Sequence, residues 1–177
     1  MSQSRSALAA EIYRVAHLSG QFVLRSGRTA TEYFDKYRFE ADPVLLDGVA
    51  AAMADLLPSD IEVLAGLELG GVPIATALSR RTGLPAAFVR KRAKTYGTAR
   101  LAEGTAIDGR RVAVIEDVVT SGGQVVISTG DLRNLGAEIG TALCVIDRES
   151  GGAGALADIR VELRALYTMA EFNASAG

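Results

Sequence analysis

The sequence predicts an α/β fold in which a central, mostly parallel sheet is flanked by helices. From residue 63 onwards, short apolar runs alternate with segments of helical periodicity, which is the pattern of βαβ units. The run at 112–115 is apolar and largely β-branched, which suits a strand buried on both faces. With 177 residues, 49% of them hydrophobic and 23% charged, the chain can bury the core of a single domain.

The N-terminal part is predicted as a helix followed by a small antiparallel unit. Leu8, Ile12 and Val15 share one face of a helix over residues 4–18. Residues 22–28 are interpreted as a short strand entering a polar turn, and residues 33–39 as a second strand of the same unit. Asp42 and Pro43 form a helix start, with an N-cap followed by proline, and this helix is expected to reach about residue 57.

The remaining chain supplies the sheet and its helices. We expect strands at 63–65, 86–89, 112–115, 139–146 and 159–166, and helices at 73–81 and 123–135. Gly83 and Gly136 are placed to end these two helices. Residues 150–154 are predicted to be a flexible turn, and 173–177 a loose tail.

Composition excludes several classes of function. The net charge of −2 gives no general attraction to nucleic acid or membranes. One cysteine, Cys144, allows no internal disulfide, and its apolar surroundings predict a buried, inert thiol. One histidine, His17, predicted within the first helix, leaves little material for a histidine-based zinc site or a Ser/His triad. No signal peptide or bilayer-spanning run is recognisable, which favours the cytoplasm.

The segment 112–123 is the strongest functional signal. Glu116 and Asp117 are expected at the carboxyl end of a strand, where open α/β sheets bind ligands. The loop 120–123 carries two hydroxyls and two glycines, so that backbone N–H groups can approach a phosphate at the start of the next helix. Carboxylates beside a phosphate-binding loop indicate a sugar phosphate. A purely structural strand end and turn is the alternative, and neither usual glycine-rich nucleotide motif is present.

Residues 91–106 fit neither a helix nor a strand well. Arg92, Lys94 and Arg100 lie in this segment and, together with Arg90, concentrate positive charge in an acidic protein. Long connections within a domain are usually functional or mobile, so we predict a mobile loop that closes over a polyanionic ligand. An ordinary solvated loop is the alternative.

The 112–123 segment resembles the motif of type I phosphoribosyltransferases that binds 5-phosphoribosyl 1-pyrophosphate (PRPP). Three further segments make the sequence similar to orotate phosphoribosyltransferases: F-V-L-R-S-G-R at 22–28, V-R-K-R-A-K-T-Y-G at 89–97 and I-D-R at 146–148. The resemblance spans residues 22–148. It implies a type I phosphoribosyltransferase fold in one domain, 1–177, with an N-terminal helix and hood (1–40), a core (41–170) and a mobile catalytic loop (91–106).

The resemblance also implies roles for individual residues. Glu116 and Asp117 would hold the ribose hydroxyls, and Lys94 would stabilise the departing pyrophosphate; these three are the expected catalytic residues. Other PRPP contacts would come from Arg25, Leu69, Gly70, Arg90, Lys91, Tyr96, Val118, Val119, Thr120, Ser121, Gly122, Gly123 and Gln124. Orotate would be bound by Tyr33, Phe34, Thr120 and Arg148.

The chain departs from many of these relatives at three places. Arg25 replaces a lysine, the turn around Gly70 lacks a lysine, and Tyr96 stands where histidine is common.

The implied reaction converts orotate and PRPP to orotidine 5′-monophosphate and pyrophosphate in pyrimidine biosynthesis. Mg²⁺ would be held mainly by PRPP and water rather than by the protein. The implied assembly is a homodimer with shared sites, in which Arg90, Lys94 and Tyr96 reach into the neighbouring subunit's site. Two alternatives are a phosphoribosyltransferase for another base and a non-catalytic PRPP sensor of the same fold. The sensor is disfavoured by the sequence pI of about 5.5, because such regulators usually need a basic nucleic-acid surface.

Overall fold

The computed structural model describes residues 4–23, 27–92 and 100–174. Its elements, in chain order, are α1 (Arg5–Ala16), β1 (His17–Val23), β2 (Thr29–Phe34), α2 (Tyr37–Glu40), α3 (Pro43–Ala54), β3 (Val63–Leu67), α4 (Gly71–Thr82), β4 (Ala86–Val89), β5 (Ala102–Gly104), β6 (Arg111–Val119), α5 (Gly123–Asn134), β7 (Glu138–Asp147), α6 (Gly152–Asp158), β8 (Glu162–Thr168) and α7 (Met169–Ala174).

The main sheet has six strands in the order β5-β4-β3-β6-β7-β8. Every neighbouring pair is parallel except β4 and β5. Strands β1 and β2 form a separate antiparallel hairpin. This hairpin with α2 is the N-terminal hood.

Apolar residues cover both faces of the main sheet, as its parallel strands require. One cluster joins the sheet to α1, α3 and α4 through side chains such as Ile12, Val49 and Ile74. The other joins it to α5 and α6 through Val125, Leu132 and Leu156. The predicted two-sided α/β architecture is therefore observed.

Two predicted helix boundaries have the expected chemistry. Asp42 caps α3, and its Oδ1 accepts hydrogen bonds from the N–H groups of Val44 (2.9 Å) and Leu45 (3.1 Å). Gly83 ends α4 with a φ of 77°, a conformation that favours glycine.

The hood corrects two predictions. The strand expected at 33–39 is wrong in position, because β2 ends at Phe34 and the chain then turns into α2. The turn is fixed where the N–H of Asp35 donates to Ala16 O at 2.8 Å, and it buries Phe39 completely. His17 begins β1, opposite Phe34, instead of lying in the first helix.

Three other segments are more ordered than predicted. Strand β5 lies within the predicted loop 91–106, and residues 93–99 of that loop are outside the described residues. Helix α6 replaces most of the turn expected at 150–154, because Gly151 adopts a φ of 94° and starts the helix. Helix α7 extends to Ala174 and corrects the start of the loose tail predicted at 173–177, because the buried Phe172 anchors the helix.

Candidate active site

The acidic pair lies inside β6 and not after it. Strand β3 pairs with β6 only as far as Ile115, whereas β7 accompanies β6 to Val119. The last residues of β6 are therefore free of a strand on one side. The sequence predicts the end of this strand at residue 115, where the apolar run ends. Pairing with β7 extends the strand through Glu116 and Asp117 to Val119.

Asp117 is fully buried, and Glu116 is partly buried. The Asp117 N–H donates to Glu116 Oε1 at 3.0 Å, and the Val118 N–H donates to Asp117 Oδ1 at 2.5 Å. These bonds hold both carboxyl groups close to the backbone of β6.

Two hood residues that the sequence analysis did not single out complete this cluster. The Nζ of Lys36 lies 2.5 Å from Asp117 Oδ2. Glu40, on α2, is 6% exposed and interacts with Asp117, Lys36 and Glu116. The cluster of Lys36, Glu40, Glu116 and Asp117 thus connects the hood to the sheet.

Burial and mutual repulsion control the charges of this cluster. Burial, the charge of Asp117 and a hydrogen bond to Asp117 raise the pKa of Glu40 to about 9. Burial and the same neighbour raise the pKa of Glu116 to about 8. Burial alone would lower the pKa of Lys36, but its hydrogen bond to Asp117 and the nearby negative charges raise it. Near neutral pH, Glu40 is therefore protonated and Lys36 is charged.

The turn between β3 and α4 closes over the acidic cluster. A Cβ on Gly70 would lie 1.6 Å from Asp117 Oδ2 and 2.9 Å from Glu40 Oε1. Leu69 is 61% exposed, and the Glu68–Leu69 peptide bond is cis. The Lys91 N–H donates to Glu68 Oε2 at 3.2 Å, which connects the turn to the start of the basic segment.

The predicted phosphate loop joins β6 directly to α5. Val118 and Val119 are the last two strand residues, Thr120 and Ser121 are exposed, and α5 begins at Gly123, followed by Gln124. Gly122 precedes the helix with a φ of 75°. The N–H groups in the first turn of a helix have no intrahelical acceptors, so this end of α5 offers donors to an anion.

Arg148 lies beside this loop. Its N–H donates to Val119 O at 2.8 Å, immediately after the end of β7, and the residue is exposed. The two hood aromatics differ in their surroundings. Tyr33 is 44% exposed and stacks on Phe22 with ring centroids 5.4 Å apart. Phe34 packs edge-on against Phe172 at 5.5 Å.

The basic residues are only partly within the described chain. Arg90 follows β4, and its Nε is buried without a hydrogen-bond partner among the described residues. Lys91 is exposed. Arg25, Lys94 and Tyr96 lie outside the described residues.

Comparison with known proteins supports one family. Residues 38–173 match the phosphoribosyl transferase domain family. The orotate phosphoribosyltransferase of Nocardioides sp. is 56% identical over 95% of this chain and 94% of the relative. The chain belongs to the orotate phosphoribosyltransferase family.

Solved structures of this family have the same architecture. The orotate phosphoribosyltransferase of Mycobacterium tuberculosis H37Rv, in complex with Fe(III) dicitrate, superposes with a TM-score of 0.87 at 32% identity, covering 95% of this chain and 98% of that one. Its complex with PRPP gives a TM-score of 0.82 at 28% identity, covering 96% and 98%. These findings confirm the family, the fold class and the pentosyltransferase class predicted from the sequence.

The acidic pair has little coordination capacity left for Mg²⁺. Asp117 Oδ1 accepts the Val118 N–H and its Oδ2 lies beside Lys36 Nζ, so the protein itself engages both oxygens. Within the described ranges, no group of three or more acidic, histidine or cysteine side chains is placed to hold a metal ion. A Mg²⁺ ion that serves this site would therefore take its oxygens from a ligand and from water. In the same part of the chain, no helix is long and apolar enough to cross a membrane.

Sequence reasoning missed Lys36 and Glu40 because it assigned residues 33–39 to a strand. A strand would have separated the two side chains along an extended hood. The usable signal was their spacing of four residues, which places them on one face when the chain is helical.

Proposed function

We propose that this chain transfers ribose 5-phosphate from PRPP to orotate, giving orotidine 5′-monophosphate and pyrophosphate. The observation that carries the proposal is the continuous arrangement of the acidic pair, the 120–123 loop and Arg148 along the open end of β6 and β7. The backbone bond between Arg148 and Val119 supports the proposal, because it sets the Arg148 backbone beside the end of β6. The planar guanidinium fork of an arginine suits the carboxylate or the carbonyls of orotate.

PRPP binding is divided between three parts of the site. The carboxyl groups of Glu116 and Asp117 accept hydrogen bonds from the ribose hydroxyls. The backbone N–H groups of residues 120–123 and the start of α5 bind the 5′-phosphate. The turn at Leu69 and Gly70 binds the pyrophosphate end, together with the basic residues Arg25, Arg90, Lys91 and Lys94 and the phenol of Tyr96.

In the reaction, the bond from ribose C1′ to the pyrophosphate oxygen breaks, and its electron pair leaves with pyrophosphate. A bond from C1′ to the orotate ring nitrogen forms, and the proton of that nitrogen is released to the solvent. The ribose acquires oxocarbenium character, as in other glycosyl transfers. Orotate brings its own negative charge, so the protein mainly positions the reactants and stabilises the leaving charge. Mg²⁺, when bound with PRPP, would neutralise part of the pyrophosphate charge. Lys94 supplies the remaining positive charge when its loop covers the site and excludes water.

The proposal includes a homodimer in which Arg90, Lys94 and Tyr96 act in the neighbouring subunit's site, and a location in the cytoplasm. The family resemblance is the basis for the shared sites. Tyr33 and Phe34 are proposed to line the orotate side; the partly exposed, stacked ring of Tyr33 is suited to packing against a flat base.

The direct test follows the loss of orotate's ultraviolet absorbance with PRPP and Mg²⁺. Uracil, adenine and hypoxanthine serve as alternative acceptors, and omission of Mg²⁺ tests the cation. Turnover of orotate alone supports the proposal. Absence of orotate turnover by folded protein, or preference for another base, would contradict it.

A further inference from the structure

The hood cluster contains two ionisable side chains to which the proposed reaction gives no task. Lys36 and Glu40 come from the N-terminal hood, yet both act on Asp117, a fully buried residue of the central sheet. A carboxylate that receives ribose hydroxyls needs a fixed orientation, because small displacements of reacting groups are costly. Glu116 and Asp117 form the floor of the proposed ribose site, and the hood is thus in contact with this floor through charged atoms.

We propose that Lys36 and Glu40 are positioning residues that hold the Asp117 carboxylate in place for the ribose of PRPP. This rests on the proposed function, since it assumes that Asp117 meets the ribose hydroxyls. Lys36 Nζ fixes Oδ2 at 2.5 Å, while the Val118 N–H fixes Oδ1 at 2.5 Å. With both oxygens held, the carboxylate cannot rotate.

Glu40 holds Asp117 from the side of the Gly70 turn. Oxygens of both carboxyl groups lie close to the same Gly70 hydrogen, since a Cβ there would lie within 2.9 Å of each. Two ionised carboxylates only accept hydrogen bonds, so they would repel each other. A protonated Glu40 can instead donate to Asp117, and a hydrogen bond between these two side chains is one of the causes that raise its pKa, after burial and the charge of Asp117.

The charged groups that act on Glu40 are Lys36 and, on β6, Asp117 and Glu116. As the pH approaches 9, Glu40 loses its proton and places a second negative charge beside Asp117. The loss of the hydrogen bond to Asp117 and the added negative charge both weaken the binding of an anionic ligand. The efficiency kcat/KM for PRPP is therefore expected to fall on the alkaline side, with Glu40 as one contributor to that limb.

The test compares Lys36→Met, Glu40→Gln and Glu40→Leu with the control Arg38→Met, which removes an exposed cation from the same short helix. Lys36→Met is expected to lower kcat/KM for PRPP roughly 10- to 100-fold, the size of losing a charge-assisted hydrogen bond. KM for orotate and the values of the control are expected to change less than about threefold, because neither substitution touches the orotate side. Glu40→Leu is expected to lower kcat/KM for PRPP by a similar factor as Lys36→Met.

Glu40→Gln separates positioning from simple packing. The amide keeps the size and the donor of the protonated carboxyl group, so activity near pH 7 is expected to stay within about threefold of the parent. Because the amide does not titrate, the alkaline limb of kcat/KM for PRPP should move to higher pH. If the alkaline limb of kcat/KM for PRPP stays in place in Glu40→Gln, the proposed role of Glu40 is wrong. If Lys36→Met is as active as Arg38→Met, the proposed role of Lys36 is wrong.

Calorimetric binding of PRPP with Mg²⁺, together with melting temperatures, makes the outcome independent of turnover. If the parent protein binds PRPP but converts no orotate, the proposed function fails while the positioning roles remain testable by affinity. If Lys36→Met does not fold, the pH dependence of PRPP affinity in Glu40→Gln still tests whether the hood positions the Asp117 carboxylate. Equal weakening of PRPP and orotate binding in every variant would indicate a merely structural cluster and contradict the proposal.

Discussion

Substitution of Gly70 by alanine tests how tightly the turn fits over the acidic cluster. Gly70 has an ordinary φ of −67°, so alanine is permitted by the backbone and its effect is purely steric. The new Cβ would lie 1.6 Å from Asp117 Oδ2, whereas ordinary contact begins near 3.4 Å. The turn and the carboxylate must therefore separate by about 1.8 Å, from 3.4 minus 1.6. A misplacement of about 1 Å can cost roughly 100-fold in rate.

We expect Gly70→Ala to lower kcat/KM for PRPP at least about 100-fold, or roughly 2.7 kcal/mol of transition-state stabilisation. The assay is the initial rate of orotate consumption at varied PRPP, with a melting curve to show that the protein is folded. The matched control is Gly130→Ala within α5, where a Cβ meets nothing within 4 Å. That change should slightly stabilise the helix and leave kcat/KM unchanged. A folded Gly70→Ala variant within threefold of the parent would refute the reasoning.

Three further predictions concern charge. Lys94→Ala should lower kcat roughly 10²- to 10³-fold while calorimetry finds PRPP affinity little changed; near-normal turnover would remove Lys94 from the mechanism. Mixing inactive Lys94→Ala with inactive Asp117→Asn should restore part of the activity through hybrid dimers; no recovery, with subunit exchange demonstrated, would argue against shared sites. The folded-state pKa of Glu40, about 9, exceeds the ordinary 4.5, so its contribution to stability is complete at low pH and declines as pH rises to 9. The melting temperature of Glu40→Gln should therefore gain on that of the parent between pH 5 and 9, and parallel curves would contradict this.

Local patterns in the sequence were sufficient for the parallel strands of the main sheet, although not for β5, and for the strand, loop and helix around residues 112–123. The apolar run of β6, the Asp42 cap and the glycine that ends α4 act through neighbours within a few positions, so their structure follows from the sequence alone. The connection of strand, loop and helix at residues 120–123 was predictable for the same reason, since the three are consecutive, whereas the binding of a phosphate there stays a prediction. Glu116 and Asp117 were identified correctly as a pair, but their place inside the strand depends on how far β7 extends.

The hood was not predictable in the same way. The alternation of aromatic and polar residues at 33–39 is compatible with a strand. The same sequence can also bury Phe39 when the chain becomes helical after Phe34. The choice is made by tertiary contacts, with Asp35 bonded to the end of α1 and Lys36 paired with Asp117. Such contacts join residues far apart in sequence, and no local periodicity reports them.

The position of the charges explains how an acidic protein accommodates a polyanionic ligand. Three carboxyl groups meet at the floor, and as three anions they would repel PRPP. Burial and the proximity of the other carboxyl groups, however, raise the pKa of Glu40 to about 9 and that of Glu116 to about 8, and Asp117 is paired with Lys36. These shifts reduce the negative charge of the three carboxyl groups near neutral pH, while their oxygens remain available to ribose hydroxyls. The attraction for phosphate must then come from the rim, where Arg90 and Lys91 begin the basic segment. Removing a rim cation should therefore make PRPP binding less sensitive to salt, whereas changes at Lys36 or Glu40 should alter its dependence on pH.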